Sequence, residues 1–104
     1  MDSDDNAERV AREERLRLVL EYLVETESAL PPAAIFRNLK LRGATFERRS
    51  VTYFLADLHD RGLVEKVDTT ALESGRVVAV GQGEPGYWVA TEAGRQLVEQ
   101  DDSV

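Results

Sequence analysis

The 104-residue chain is 42% hydrophobic and carries 20 acidic against 13 basic residues, a formal net charge of −7. That length supports one modest core, and the hydrophobic content is ordinary for a folded domain, so the acid excess does not argue disorder. The absence of cysteine removes disulfides, thiolate metal sites and thiol catalysis, while the lack of a long apolar run or of an apolar core behind the acidic "MDSDDNAERV" leads us to expect a cytoplasmic protein with no membrane contact.

Residues 1–14 read as an acidic extension that continues into the first helix, expected from about Asn6 to Thr26. Leu16, Val19, Leu20 and Leu23 recur there at three- and four-residue steps and define one core-facing stripe. Leu18 and Tyr22 lie off the centre of that stripe and are expected to be spare. In "SALPPAAIFRNLK" a proline at the first turn predicts a short second helix, Pro32 to about Leu39, with Ile35 and Leu39 inward. Gly43 marks the turn "KLRGATF". A third helix follows from about Glu47 to Arg61. Its inward side carries Val51, Phe54, Leu55 and Leu58; the opposite side carries Arg48, Arg49, Thr52, Tyr53 and Ala56.

Gly62 has the position of a left-handed helix cap, and "LVEKV" alternates like a half-buried strand. "GYWVAT" reads as its partner strand. The intervening "DTTALESGRVVAVGQGEPG" is long for a hairpin, and Arg76 to Val80 within it is expected to form a further strand. Thr91 is placed to N-cap a closing helix, Glu92 to Gln100, that bears Leu97 and Val98, and residues 101–104 form an acidic tail.

Charge is unevenly distributed along these elements. Residues 37–49 hold Arg37, Lys40, Arg42, Arg48 and Arg49 against Glu47 alone, a local +4 in a chain of −7. The order helix, short helix, turn, longer helix, β-hairpin, closing helix is that of an α+β winged helix-turn-helix domain: a three-helix core with a β-hairpin wing and flanking N- and C-terminal helices, over residues 15–100 with a long wing at 63–91. Such a domain lays its third helix in the DNA major groove, where a duplex bearing about one negative charge per 1.7 Å demands cations at the contact. Arg48 and Arg49 suit guanine edges or phosphates. Thr52 and Tyr53, one turn on, suit a thymine methyl, a phosphate or a base edge, with Ser50 between the two pairs. Arg37, Lys40 and Arg42 are suited to backbone phosphates, and Arg76 to a wing contact in the minor groove.

The chain also resembles the small haloarchaeal winged-helix regulators related to the phage phi-H repressor. The resemblance lies in "LPPAAIFRNLKLRGATFERRSVTYFLADLHDRGLVEKV" and "GYWVATEAGRQLV", about residues 15–98, and includes the helix-ending pattern Leu55, Leu58, Gly62, Leu63, Val64. It implies a sequence-specific transcriptional regulator, a repressor, that binds double-stranded DNA. Residues 69–85 depart from the family, whose members usually pass almost directly from one hairpin strand to the next. Eleven arginines against two lysines, beside the acid excess, fit the surface expected of a protein from a halophilic cytoplasm.

The plainer reading of Arg48 and Arg49 is a solvated surface paired with Glu47 and Asp57. The alternative for the whole chain is a winged-helix module that binds protein rather than DNA. An enzyme is not expected: there is no P-loop, no Gly-x-Ser-x-Gly, no metal-ligand spacing and no cofactor fingerprint, and neither a cofactor nor a small-molecule ligand is indicated. His59 is read as a helix-end histidine and Trp88 as a packing residue. A homodimer is expected, because one helix in one groove gives little specificity; Leu18 and Tyr22 with Leu97 and Val98 are its candidate interface.

Overall fold

The computed structural model describes residues 3–81 and 83–102, with side-chain exposures over 7–81 and 83–100. The outermost acids of the two ends, Asp2, Asp4, Asp5, Asp101 and Asp102, lie outside those described side chains, and residues 103–104 of the tail outside the described chain. The elements are α1 (Ser3–Thr26), α2 (Pro32–Leu41), α3 (Arg48–Asp60), β1 (Val64–Val67), α4 (Thr69–Glu73), β2 (Tyr87–Ala90) and α5 (Glu92–Asp102), giving a small α+β protein whose two strands form an antiparallel hairpin. No helix among the described residues is long and apolar enough to cross a membrane.

The helical periodicities dictate the core. Leu16, Val19, Leu20 and Leu23 of α1, Ile35 and Leu39 of α2, and Val51, Phe54, Leu55 and Leu58 of α3 are all buried in one cluster, which Tyr22, Phe46, Val64, Trp88 and Val98 complete. Among the described side chains, burial along α1 begins at Leu16, apart from a half-buried Ala11, so residues 7–15 lie beyond the main core. Two ends use the same device. Gly43 and Gly62 hold positive φ (97° and 75°), and the amides after them, Ala44 and Leu63, reach back to the Leu39 and Leu58 carbonyls at 3.0 Å. This is the Schellman closure, which glycine adopts without the steric cost a Cβ would impose.

The hairpin register runs from Val64↔Ala90 to Val67↔Tyr87. One outer edge is closed by Leu30, whose amide and carbonyl both bond Trp88, at 3.0 and 2.8 Å. The other is closed by the insert: Asp68 donates to the Val78 carbonyl at 2.8 Å and Val80 to the Lys66 carbonyl at 2.9 Å, since alternate residues of β1 aim their polar groups at opposite edges.

The insert differs from the expected long wing with a further strand at Arg76 to Val80. Arg76 to Val80 makes an isolated bridge, Val67↔Ala79, rather than a strand, and Thr69–Glu73 is helical. Asp68 caps that turn by accepting from the Ala71 amide at 2.9 Å, and Gly75 at φ 81° ends it. Val67 and Ala71 are buried outside the main cluster, so the insert covers the second face of β1.

Candidate nucleic-acid interface

The buried side of α3 fixes what its other side presents. Val51, Phe54, Leu55 and Leu58 anchor it, and Phe46, just ahead of the helix, meets Phe54 edge-on with ring centroids 5.4 Å apart. Arg48, Arg49, Thr52 and Tyr53 therefore project into solvent together, Tyr53 at 66% exposure. An exposed aromatic on an anchored helix does not serve the core. Ser50, half-buried, has its amide on the Glu47 carbonyl at 3.0 Å.

The five cations of residues 37–49 divide. Arg37 and Arg48 are exposed and make no ion pair among the described residues. Lys40 lies 5.8 Å from the Phe36 ring centroid. Arg49 approaches Glu47 at 3.4 Å with both side chains largely in water, a contact worth little. Arg42 departs from the expected phosphate role. Its guanidinium bonds both Glu25 oxygens, at 3.1 and 3.2 Å, and lies 4.9 Å from the Tyr22 ring centroid. It ties the end of α2 to α1, and its planar fork is matched by the carboxylate there. Arg76 is exposed in the insert, where its backbone amide completes the α4 closure on the Ala71 carbonyl at 2.8 Å.

Asp57, the second acid expected near Arg48 and Arg49, is engaged elsewhere. Arg12 of α1 donates to it at 2.9 Å, and Arg61, just past α3, donates to it at 2.9 Å and to both oxygens of Glu13 at 2.9 and 2.8 Å. Two guanidiniums and two carboxylates thus clamp the part of α1 beyond the main core to the end of α3, with Arg12 also 5.5 Å from the Phe54 ring centroid. Arg61 and Asp57 form a local i,i+4 pair, but the two pairs that reach α1 join residues 45 and 48 apart in the chain, and no local pattern announces those.

The hydrogen bond from Arg61 holds the Glu13 carboxyl below its ordinary 4.5. For Asp57 burial acts in the opposite direction, but bonds from Arg12 and Arg61 outweigh it and hold the group below its ordinary 3.8. Depressed carboxyls stabilise the fold above their unfolded values, and that contribution disappears as pH falls through the folded ones. Arg61→Gln should thus lower the melting temperature at neutral pH by the equivalent of about 1 kcal/mol, an effect reduced by salt because the pairs are exposed. The gap between the two proteins should close as pH is taken below about 4, which thermal melts across pH would reveal; a constant gap would show that Arg61 acts through packing alone.

No family model, no curated protein and no solved structure matches the chain.

Two of the four expected dimer residues are core residues. Tyr22 is 5% exposed and its hydroxyl accepts from the Asn38 amide at 2.6 Å; Val98 is 7% exposed within the main cluster. Tyr22 lies at the edge of the α1 stripe, close enough for α2 to cover it, and Val98 supplies the contact that seats α5. Leu18 and Leu97 do stand out, at 44% and 40% exposure, but in separate grooves: Leu18 beside Leu39 and Ala44, Leu97 beside Leu16 and Leu63. Trp88 is buried, as its place in the strand suggests, and half-buried His59 packs edge-on to it with centroids 6.0 Å apart.

Proposed function

We propose that the chain is a winged helix-turn-helix DNA-binding regulator, a repressor, that reads the major groove with α3. One observation carries the reading: on a helix whose opposite side is anchored by four buried residues, a net −7 protein leaves Arg48, Arg49, Thr52 and Tyr53 together in solvent. Cations, a methyl-bearing hydroxyl and an aromatic phenol on one rigid helix match what base edges and phosphates offer. The order of elements and the hairpin, closed at its edges by Leu30 and by the insert, support a winged-helix architecture. The sequence resemblance to haloarchaeal regulators points the same way.

The test is association with duplexes of mixed sequence, followed by fluorescence anisotropy at several salt concentrations. Affinity should fall linearly, on logarithmic axes, as salt rises. A correctly folded chain that shows no salt-dependent association with any duplex would sink the DNA reading in favour of a protein-binding winged-helix module.

The same reading includes a homodimer on two half-sites about one helical turn apart. With Tyr22 and Val98 committed to the core, Leu18 and Leu97 remain for the interface. Sedimentation in molar salt should give a dimer mass for the wild type and a monomer mass for Leu18→Glu combined with Leu97→Glu. A wild-type monomer at tens of micromolar would remove the dimer.

A further inference from the structure

The insert closes the free edge of β1 and presents an edge of its own. Across the Val67↔Ala79 bridge, the Val78 carbonyl and the Val80 amide face β1. Polar groups alternate along an extended chain, so the amides and carbonyls of Val77 and Ala79 face the other way. Among the described residues none of these has a hydrogen-bond partner. The side chains along this edge are in solvent too, Val77 at 69% and Val78 at 42% exposure, with Arg76 and Ala79 exposed beside them.

Folded proteins blunt such edges with lysine, proline, a bulge or a covering element. Between Val77 and Val80 the sequence "VVAV" has neither charge nor proline, and its valines suit a strand. A further extended chain is what offers donors and acceptors at the matching spacing.

The charges beside the edge indicate which chain. In an antiparallel pairing about a two-fold axis at Val78, Val77 of each copy faces Ala79 of the other as a hydrogen-bonded pair, and Arg76 faces Val80. That register satisfies every open group of Val77 and Ala79. Just past Val80, the Glu84 carboxylate lies 3.8 Å from where a Cβ on Gly81 would stand. Arg76 and Glu84 are exposed and make no ion pair among the described residues. The same axis therefore brings each guanidinium toward the other copy's carboxylate, in a chain whose net −7 otherwise opposes self-association.

We propose that residues 76–80 are a docking edge for the same segment of a second copy of this chain, the two pairing as antiparallel strands of one continuous sheet. The contact is separate from Leu18 and Leu97 and does not rest on the DNA-binding reading. Residues 76–80 are few beside the roughly 20 per side of a standard stable interface, so the pairing is weak and forms at hundreds of micromolar. Where Leu18 and Leu97 hold a dimer, it links one dimer to the next.

Sedimentation of the full chain in moderate salt tests this. As protein rises from tens to several hundreds of micromolar, the mean mass should climb, in the wild type and equally in Leu18→Glu combined with Leu97→Glu. Hydrogen exchange at the Val77 and Ala79 amides should slow in step. Ala79→Pro removes a donor that the single chain leaves unpaired, and should weaken the association about tenfold. Where melting curves show that the proline damages the fold, Val77→Lys puts an edge-blocking charge on a side chain already in solvent and should act alike. Arg76→Glu should also weaken pairing, and Arg76→Glu combined with Glu84→Arg should restore it. A mass independent of concentration in both backgrounds overturns the second copy as the occupant. Association that Val77→Lys and a folded Ala79→Pro leave unchanged overturns the edge, and failure of the charge exchange to restore pairing overturns the Val78 axis. Loss of DNA binding, or of the Leu18 and Leu97 dimer, would not alter these readouts, so either failure is distinguishable from failure of the edge.

Discussion

Replacing Arg48 and Arg49 together by alanine should cost DNA affinity about 2 to 6 kcal/mol if both guanidiniums read bases, with each single change contributing about 1 to 3. The two residues occupy the first turn of α3, in solvent, and Val51 and Phe54 beyond them keep that turn in place. Neither arginine stabilises the fold appreciably, because the 3.4 Å Arg49–Glu47 contact is exposed on both sides. Melting temperature should therefore stay within a degree or two while binding collapses, which separates lost recognition from lost structure. Arg37→Ala is the useful contrast, since a phosphate contact weakens all sequences alike and flattens the salt slope by about one. Arg42→Ala should behave differently again, with its main effect on the attachment of α2 to α1 through Glu25 and Tyr22. If the double variant at 48 and 49 kept both affinity and sequence preference, α3 would not be the DNA surface.

Gly94→Ala should destabilise the fold by about 2 to 4 kcal/mol, against a gain near 1 kcal/mol that helix propensity alone predicts for the same change. Gly94 sits in the first turn of α5, and a Cβ there would overlap the Leu63 carbonyl oxygen and meet the Leu20 Cδ1 atom at 3.0 Å. The carbonyl has little room to retreat. It accepts the Thr91 amide at 3.0 Å, while the Thr91 hydroxyl donates to the Gly62 carbonyl at 2.7 Å and accepts the Gly94 amide at 3.1 Å. The end of α3, the start of the hairpin and the cap of α5 are thus one hydrogen-bonded junction, and glycine alone lets α5 approach it. Denaturant unfolding reads the sign directly. A stabilised Gly94→Ala would mean that α5 is free to shift away from Leu63.

Some of the protein follows from its sequence by itself. The stripes of α1 and α3, the Gly62 closure and the Thr91 cap each follow from spacing within a few residues, and the two strands show in their own residue patterns although their pairing joins residues 20 to 26 apart. The basic, aromatic face of α3 was legible for the same reason, being the complement of four regularly spaced apolar residues. α4 carried a local signature as well: Asp68 ahead of "TTALE" and Ser74-Gly75 after it are N-cap and C-cap signals, obscured by the β-prone "RVVAV" that follows.

Other features arise only from the tertiary structure, because they depend on which surfaces meet. Tyr22 is apolar surface until α2 covers it and Asn38 satisfies its hydroxyl. Arg42 is one cation of a patch until Glu25 comes within 3.1 Å. Arg12, Glu13, Asp57 and Arg61 become a clamp only when α1 lies along α3, and Gly94 is an ordinary weak helix residue until Leu63 is set against it. Periodicity determines which side of an element is buried, whereas the identity of what is buried against it is a long-range property that loop closure and packing decide.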